Sequence, residues 1–514
     1  MKQIIKKGSF LTLMFMLLGC LSLYAADNDL KTKQVTITLE KAGTLPDRIG
    51  SSEKYEITNL KIIGEINGTD LSMIRWMAGS NFYGNSTDGK LSVLDLSEAK
   101  IVEGGDCYFY DDFEDDYCHT SNDVIGSCAF RGCRGLTSLN LPAGITEIGK
   151  GAFWGCSGLT SLNLPAGITE IGGYAFEGCS GLTSLNLPAG ITWIGGYAFE
   201  GCSGLTSLNL PAGITKIGIG AFHGCSGLTS LTLPAGITWI GSEAFYGCSG
   251  LTSLTLPAGI TWIGYEAFCG CSGLTSLTLP AGITEIRGRT FYGCSGLTSL
   301  TLPAGITEIG SSAFEDCSGL TSLNLPAGIT KIGIGAFHGC SGLTSLTLPA
   351  SITKIDNSVF WGCSGLTSLT LPAGITSIGS DAFRDCSGLT SLTLPAGITS
   401  IGYDAFRGCS GLTSIYVYAE KVPGISYYAF KGVDANKCTL YVPMGTYDDY
   451  RHSDFGHFEN IVEFEATGID KTTISTDVEE VARYSVNGQR LSAPTKGLNI
   501  VKYSDGSLKK VAVQ

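Results

Sequence analysis

A period of 23 residues, running without insertion or deletion from about Ile125 to Ile415, fixes what this chain can fold into. One copy reads GKGAFWGCSGLTSLNLP over Gly149–Pro165, followed by Ala166-Gly167-Ile168-Thr169-Glu170-Ile171. The cysteine of its Gly-Cys pair recurs from Cys133 and Cys156 to Cys409, marking 13 copies. A fixed period of this length predicts a solenoid, in which each copy makes one coil and neighbouring coils bury each other's apolar edges. Such a core grows along one axis, so 514 residues need not divide into several globular domains.

Within a coil, Leu136, Leu139 and Leu141 alternate with Ser138 and Asn140 as on a strand with one buried face. Pro142 offers no N–H and ends the strand. Ile145 and Ile148 bury a second extended stretch and leave Glu147 outside. Ala152 and Phe153 fill the centre on a short helical turn, and Cys156 packs as a small apolar group. The glycine before Leu-Thr-Ser (Gly135, Gly158, Gly181 and onward) never varies among the copies, which suggests a position with positive φ. The period thus accounts for 13 of the 19 cysteines as core positions, and for most of the 71 glycines. Cys269, outside that column, reads as an exposed and reactive thiol.

The regions flanking the repeat differ from it. Residues 1–25 resemble an export signal: Lys2, Lys6 and Lys7 precede the apolar run Phe10–Leu18, which is too short to be a stable membrane anchor. Leu17-Leu18-Gly19-Cys20 resembles a lipobox, and Leu23-Tyr24-Ala25 an ordinary cleavage site. The apolar run continues to Tyr24, which favours cleavage after Ala25. Residues 27–124 read as an N-terminal cap with strands near Val35–Leu39, Leu60–Gly64 and Leu91–Ser97 and a helix over Asp70–Ala78 capped by Asp70. An acidic, aromatic loop lies between Cys107 and Cys118, which export makes candidates for a disulfide. Residues 416–465 read as a terminal repeat, 466–477 as a linker, and 478–514 as a small β domain with an Asn487-Gly488 hairpin turn.

The spelling LxxLxLP…IxxIxxxAFxGCxxL, over about Ile125 to Ile415, resembles the BspA-like (Treponema-type) leucine-rich repeat proteins, exported surface proteins of host-associated bacteria. The resemblance implies a leucine-rich repeat solenoid of parallel β coils with short helical turns, capped at both ends. It also implies adhesion to extracellular proteins or to other cells, at the outer surface or secreted. The C-terminal unit resembles the short β domains of Bacteroidetes surface proteins, some of which serve as type IX sorting signals.

The net charge of −13 disfavours nucleic acid and anionic lipid as partners. No phosphate-binding loop, zinc spacing or unique acid/base pair occurs; His223 and His338 occupy one column of a duplicated block, Cys202–Ala235 and Cys317–Ala350. The chain therefore reads as a binding protein without catalytic residues, metal or cofactor. Specificity must lie where the copies differ. The column before the second isoleucine reads Glu147, Glu170, Trp193, Lys216, Trp239, Trp262, Glu285, Glu308, Lys331, Lys354, Ser377, Ser400. Trp193, Lys216, Trp239 and Trp262 are the candidate ligand site, with Trp239 stacking on Trp262 and Lys216 over a tryptophan face. A nearby column with Tyr174, Tyr197, Tyr246, Tyr265 and Tyr292 joins it. Exposed aromatics in a cluster suit a protein or a glycan; alternatively these rings cover glycine-rich turns of neighbouring coils. A surface glycan-binding role in nutrient capture is the alternative to adhesion.

Overall fold

The computed structural model describes residues 31–112, 114–426, 428–465, 480–485, 490–491, 497–503 and 508–513. The leader with its two cleavage readings, the 466–477 linker and the Asn487-Gly488 turn lie outside them. Two compact units meet in sequence at Glu463 and Phe464.

The larger unit is a parallel β-solenoid. Ser138–Asn140 pairs in register with Ser161–Asn163, so Leu139 lies on Leu162, Asn140 on Asn163, and Ser138 on Ser161. The second side is a shorter strand, Glu147–Ile148, pairing with Glu170–Ile171. On the third side Ala152 and Phe153 lie on hydrogen-bonded turns, with Ala152 N–H donating to Gly149 O and Trp154 N–H to Gly151 O, in the place of the expected short helical turn. There Gly151, Phe153 and Gly155 donate their amides to the carbonyls of Gly173, Ala175 and Glu177 in the next coil. Three hydrogen-bonded sides leave the coil no need of a helix to satisfy its backbone.

Two ladders fill the centre. The phenylalanines from Phe130 to Phe430 stack with centroids 5.1 to 5.6 Å apart and near-parallel planes, the spacing of an offset stack. Beside them each ladder cysteine from Cys156 to Cys409 donates its thiol to the phenylalanine carbonyl of the coil before, as Cys156 does to Phe130 at 3.0 Å and Cys248 to Phe222 at 3.1 Å. These thiols are fully buried and free. Burial pushes them up, Cys248 to about 12, as desolvation disfavours a thiolate. Cys269, expected to be exposed, is 4% exposed, and burial pushes its thiol up to about 11.

The invariant glycine before Leu-Thr-Ser has a different cause from the one expected. Its φ is not positive; the left-handed glycines of the repeat include those of Gly-Cys, such as Gly155 at φ 72° and Gly247 at φ 67°. A Cβ on Gly158 would sit 2.4 Å from the Arg134 carbonyl oxygen, and one on Gly250 2.3 Å from that of Ser226. Close approach of successive coils excludes any side chain there.

Strands Val35–Leu39, Asn59–Ile66 and Val93–Ile101 extend the first side towards the N-terminus, Val93 pairing with Ser138. The helix Gly68–Met77 covers this end. Its N-cap is Asn67, not Asp70; Asp70 closes the capping box by accepting the Asn67 amide. The acidic segment is a β-hairpin, Gly104–Asp111 with Asp116–Thr120. Phe109, not Cys107, faces Cys118, and both cysteines are free, so the expected Cys107–Cys118 bridge is not formed. The first coil has no predecessor to receive its third-side carbonyls. Tyr108 donates its hydroxyl to Ser127 at 2.7 Å; Arg75 reaches the oxygens of Ala129 and Arg131 at 3.0 and 3.1 Å. At the other end Phe455 and Phe458 meet Phe430 at tilted and edge angles and stop the stack.

The smaller unit contains an antiparallel sheet ordered Arg490–Leu491, Glu480–Ser485, Gly497–Tyr503, Leu508–Val513.

Candidate functional site

The second side positions the site. In each Xaa-Ile strand the isoleucine is buried and the residue before it faces out, since alternate side chains take opposite faces. Parallel registration then sets Trp193 beside Lys216, Lys216 beside Trp239, and Trp239 beside Trp262. The sequence column is therefore a physical row. Trp193 and Trp262 are 38% and 40% exposed, and Trp239 is half-buried.

Between the first two tryptophans lies an open pocket of about 560 Å³, lined by Trp193, Lys216, Trp239, Ile219, threonines Thr192 and Thr215, and glycines Gly196 and Gly218. Gly196 adds no side chain to its base, whereas Gly218 is held to glycine by the coil before it, where a Cβ would lie 2.7 Å from the Gly195 carbonyl carbon. Ile219, 45% exposed, stands at a position filled in other coils by Gly173, Ser242 or Tyr265. Ile219 and the two glycines escape a reading that follows one column; the isolated apolar residue among small and polar ones was the available signal.

Lys216 carries the only formal charge in this lining. It is exposed and, among the described residues, has no ion-pair partner. The duplicated block supplies an internal comparison. There Lys331 and Ile334 repeat Lys216 and Ile219, but Glu308 and Lys354 replace the two tryptophans. Lys331 pairs with Glu308, and Lys354 with Asp356 at 2.9 Å. One copy thus neutralises its lysine, while the other leaves it bare between aromatic walls.

The expected ring contacts differ in detail. Trp239 and Trp262 are neighbours in register, but the group over Trp262 is the Arg287 guanidinium, 3.7 Å from the ring centroid. Lys216 lies over no ring among the described cation–aromatic contacts. Arg287 also approaches Tyr265 at 5.2 Å and pairs with Glu285 at 3.3 Å. The five tyrosines do not form one column. Tyr174 and Tyr197 have φ of 60° and 55° and stack at 5.2 Å. Tyr265 lies one residue earlier in the coil, and Tyr246 and Tyr292 follow the core phenylalanine. Tyr246 stacks on His223 at 4.6 Å, and Tyr292 lies under Arg289 at 4.7 Å. None of the three candidate tyrosines lines the pocket; a shift of one or three residues moves a side chain to another part of the turn.

No group of three His, Cys, Asp or Glu suited to a metal occurs among the described residues, and no helix among them is long and apolar enough to cross a membrane.

A family model described as BspA type Leucine rich repeat region matches residues 105–229, 192–321 and 307–437. A leucine-rich repeat protein from Bacteroides ovatus is 29% identical over 62% of this chain and 88% of that one, with a TM-score of 0.53. The leucine-rich repeat protein of T. pallidum is 30% identical over 36% of this chain and 78% of that one, with a TM-score of 0.29. A leucine-rich cell surface protein from Faecalibacterium prausnitzii is 25% identical over 58% and 84%, with a TM-score of 0.36. No curated protein sequence matches.

Proposed function

This chain belongs to the BspA-type leucine-rich repeat family, and on that premise we propose that it is an exported cell-surface adhesin. It holds extracellular proteins of a host or of neighbouring cells against the Trp193–Trp262 row. The observation that carries this reading is the row itself: partly exposed tryptophans on adjacent coils of a scaffold whose other letters are nearly invariant. Tryptophan is enriched among residues whose truncation most weakens protein interfaces, and the solenoid presents it from a hydrogen-bonded backbone. The basic, apolar N-terminus supports export, and the C-terminal β unit serves as the sorting or attachment element.

The test immobilises the full chain and exposes it to extracellular matrix and plasma proteins. Trp193→Ser with Trp239→Ser is expected to abolish capture while far-UV circular dichroism stays unchanged. Equal capture by the folded double variant would remove the row from the binding surface.

A further inference from the structure

We infer that the Trp193–Lys216–Trp239 pocket takes a carboxylated pyranose, a uronic or sialic acid unit displayed on the glycan of the captured partner. The inference rests on the adhesin reading and names the chemistry that the pocket in its tryptophan row recognises. Three observations lead to it.

The first is spacing. Trp193 and Trp239 lie two rungs apart, with Lys216 on the rung between. Strands about 4.8 Å apart put their stems about 9.6 Å from one another. That gap is wide for a flat carboxylate or guanidinium, which leaves one wall untouched. It suits a puckered ring whose C–H faces meet an aromatic wall on each side. Pockets of a few hundred Å³ commonly hold small ligands through apolar walls and a few placed polar groups.

The second is charge. In a chain of net charge −13, the one charged group lining this pocket is a cation without a partner. A carboxylate on the ring supplies that partner. The copy of this lysine in the duplicated block, Lys331, already has an internal one, Glu308, and has lost both tryptophans. Bare lysine and aromatic walls occur together; paired lysine and missing walls occur together.

The third is the polar complement. Thr192 and Thr215 line the pocket, and the Thr215 hydroxyl donates at 3.3 Å to the Thr192 carbonyl. Its oxygen keeps acceptor capacity for a ring hydroxyl. Gly196, whose Cβ position meets nothing nearer than the Ile219 oxygen at 3.4 Å, puts no side chain at the base, so a ring can approach the backbone there.

The experiment titrates the full chain with methyl glycosides of glucuronic acid, N-acetylneuraminic acid and glucose, following tryptophan emission. Saturation by at least one acidic glycoside, with glucoside weaker by about tenfold or more, is expected from a charge-assisted contact. The two acidic arms tell a uronic from a sialic source. Lys216→Met is expected to erase the preference for the acid, and Lys331→Met to leave it intact. Equal response to glucoside, or equal damage from both lysine variants, would overturn the inference. So would displacement of the partner by an acidic peptide but by neither acidic glycoside. If captured proteins stripped of acidic sugars still bind through Trp193 and Trp239, the sugar is wrong and the adhesin reading stands. If acidic glycosides bind but no extracellular protein does, the adhesin reading falls and the sugar site stands.

Discussion

Gly250→Ala tests why coils stack as closely as they do. The added Cβ would lie 2.3 Å from the Ser226 carbonyl oxygen and 3.3 Å from that of Leu228, both backbone atoms of the preceding coil. No rotamer relieves such a clash, so the two coils must separate by about 1 Å. Overpacking of this kind costs about 1–3 kcal/mol. Separation also stretches inter-coil bonds such as Thr252 N–H to Thr229 O, 3.1 Å long, each contributing about 1 kcal/mol. With two such bonds weakened the total is about 3–5 kcal/mol. The matched control is Gly247→Ala. Gly247 has φ 67° and its nearest non-neighbouring atom is 3.7 Å from the Cβ position, so alanine there costs about 1–2 kcal/mol of backbone strain. Asp316 and Asp385 already occupy that column at φ 59° and 58°. Urea unfolding read by tryptophan emission, with hydrogen exchange over residues 228–255, compares the two. A cost for Gly247→Ala equal to or above that of Gly250→Ala would refute the close-approach argument.

Two further outcomes follow from buried ionisable groups. Burial, and then the Glu200 charge, push Glu177 up to about 7; between its usual value near 4.5 and 7 the folded chain holds a proton that the unfolded chain releases, so stability falls as pH rises through that window. Glu177→Gln should flatten this part of the stability–pH curve and stabilise the protein at pH 8, and an unchanged slope in denaturant titrations would contradict it. Iodoacetamide at pH 8 should leave the folded chain's ladder cysteines and Cys269 unlabelled, with thiols pushed up to about 12 at Cys386 and about 11 at Cys269, and should reach the half-buried Cys107 first. Rapid labelling of ladder positions, seen by peptide mass mapping before unfolding, would show that they are accessible.

The scaffold was legible because it is written many times over. Leu139, Ile148, Phe153 and Cys156 take inward places dictated by alternation and by the period, and the register makes each stack on its own copy. What the spelling withheld depends on distances between coils. Gly158 and Gly155 look alike in sequence, yet one is fixed by a neighbour's carbonyl and the other by its own φ. Cys269 follows the core phenylalanine, a place that half-buries tyrosine or histidine but leaves a small thiol covered. The tryptophan row was legible as a column; its pocket was not, because Ile219 and Gly218 belong to the turn beyond the strand.

The capping of the first coil's carbonyls has a consequence for chain length. Every third-side amide cited donates towards the C-terminal end, so the matching carbonyls all point back to the N-terminal end. The oxygens of Ser127, Ala129 and Arg131 have no coil before them to supply an amide, so the cap must supply donors. Arg75 is wholly buried, with no carboxylate beside it among the described residues, because its guanidinium donates to the Cys128, Ala129 and Arg131 oxygens and lies over the Phe109 ring at 4.5 Å. Only the first coil leaves such oxygens, so their number does not grow with the stack and the cap is indifferent to how many coils follow. Whole copies can then be gained or lost without retuning the ends, and the duplicated Cys202–Ala235 block is the kind of record such freedom leaves.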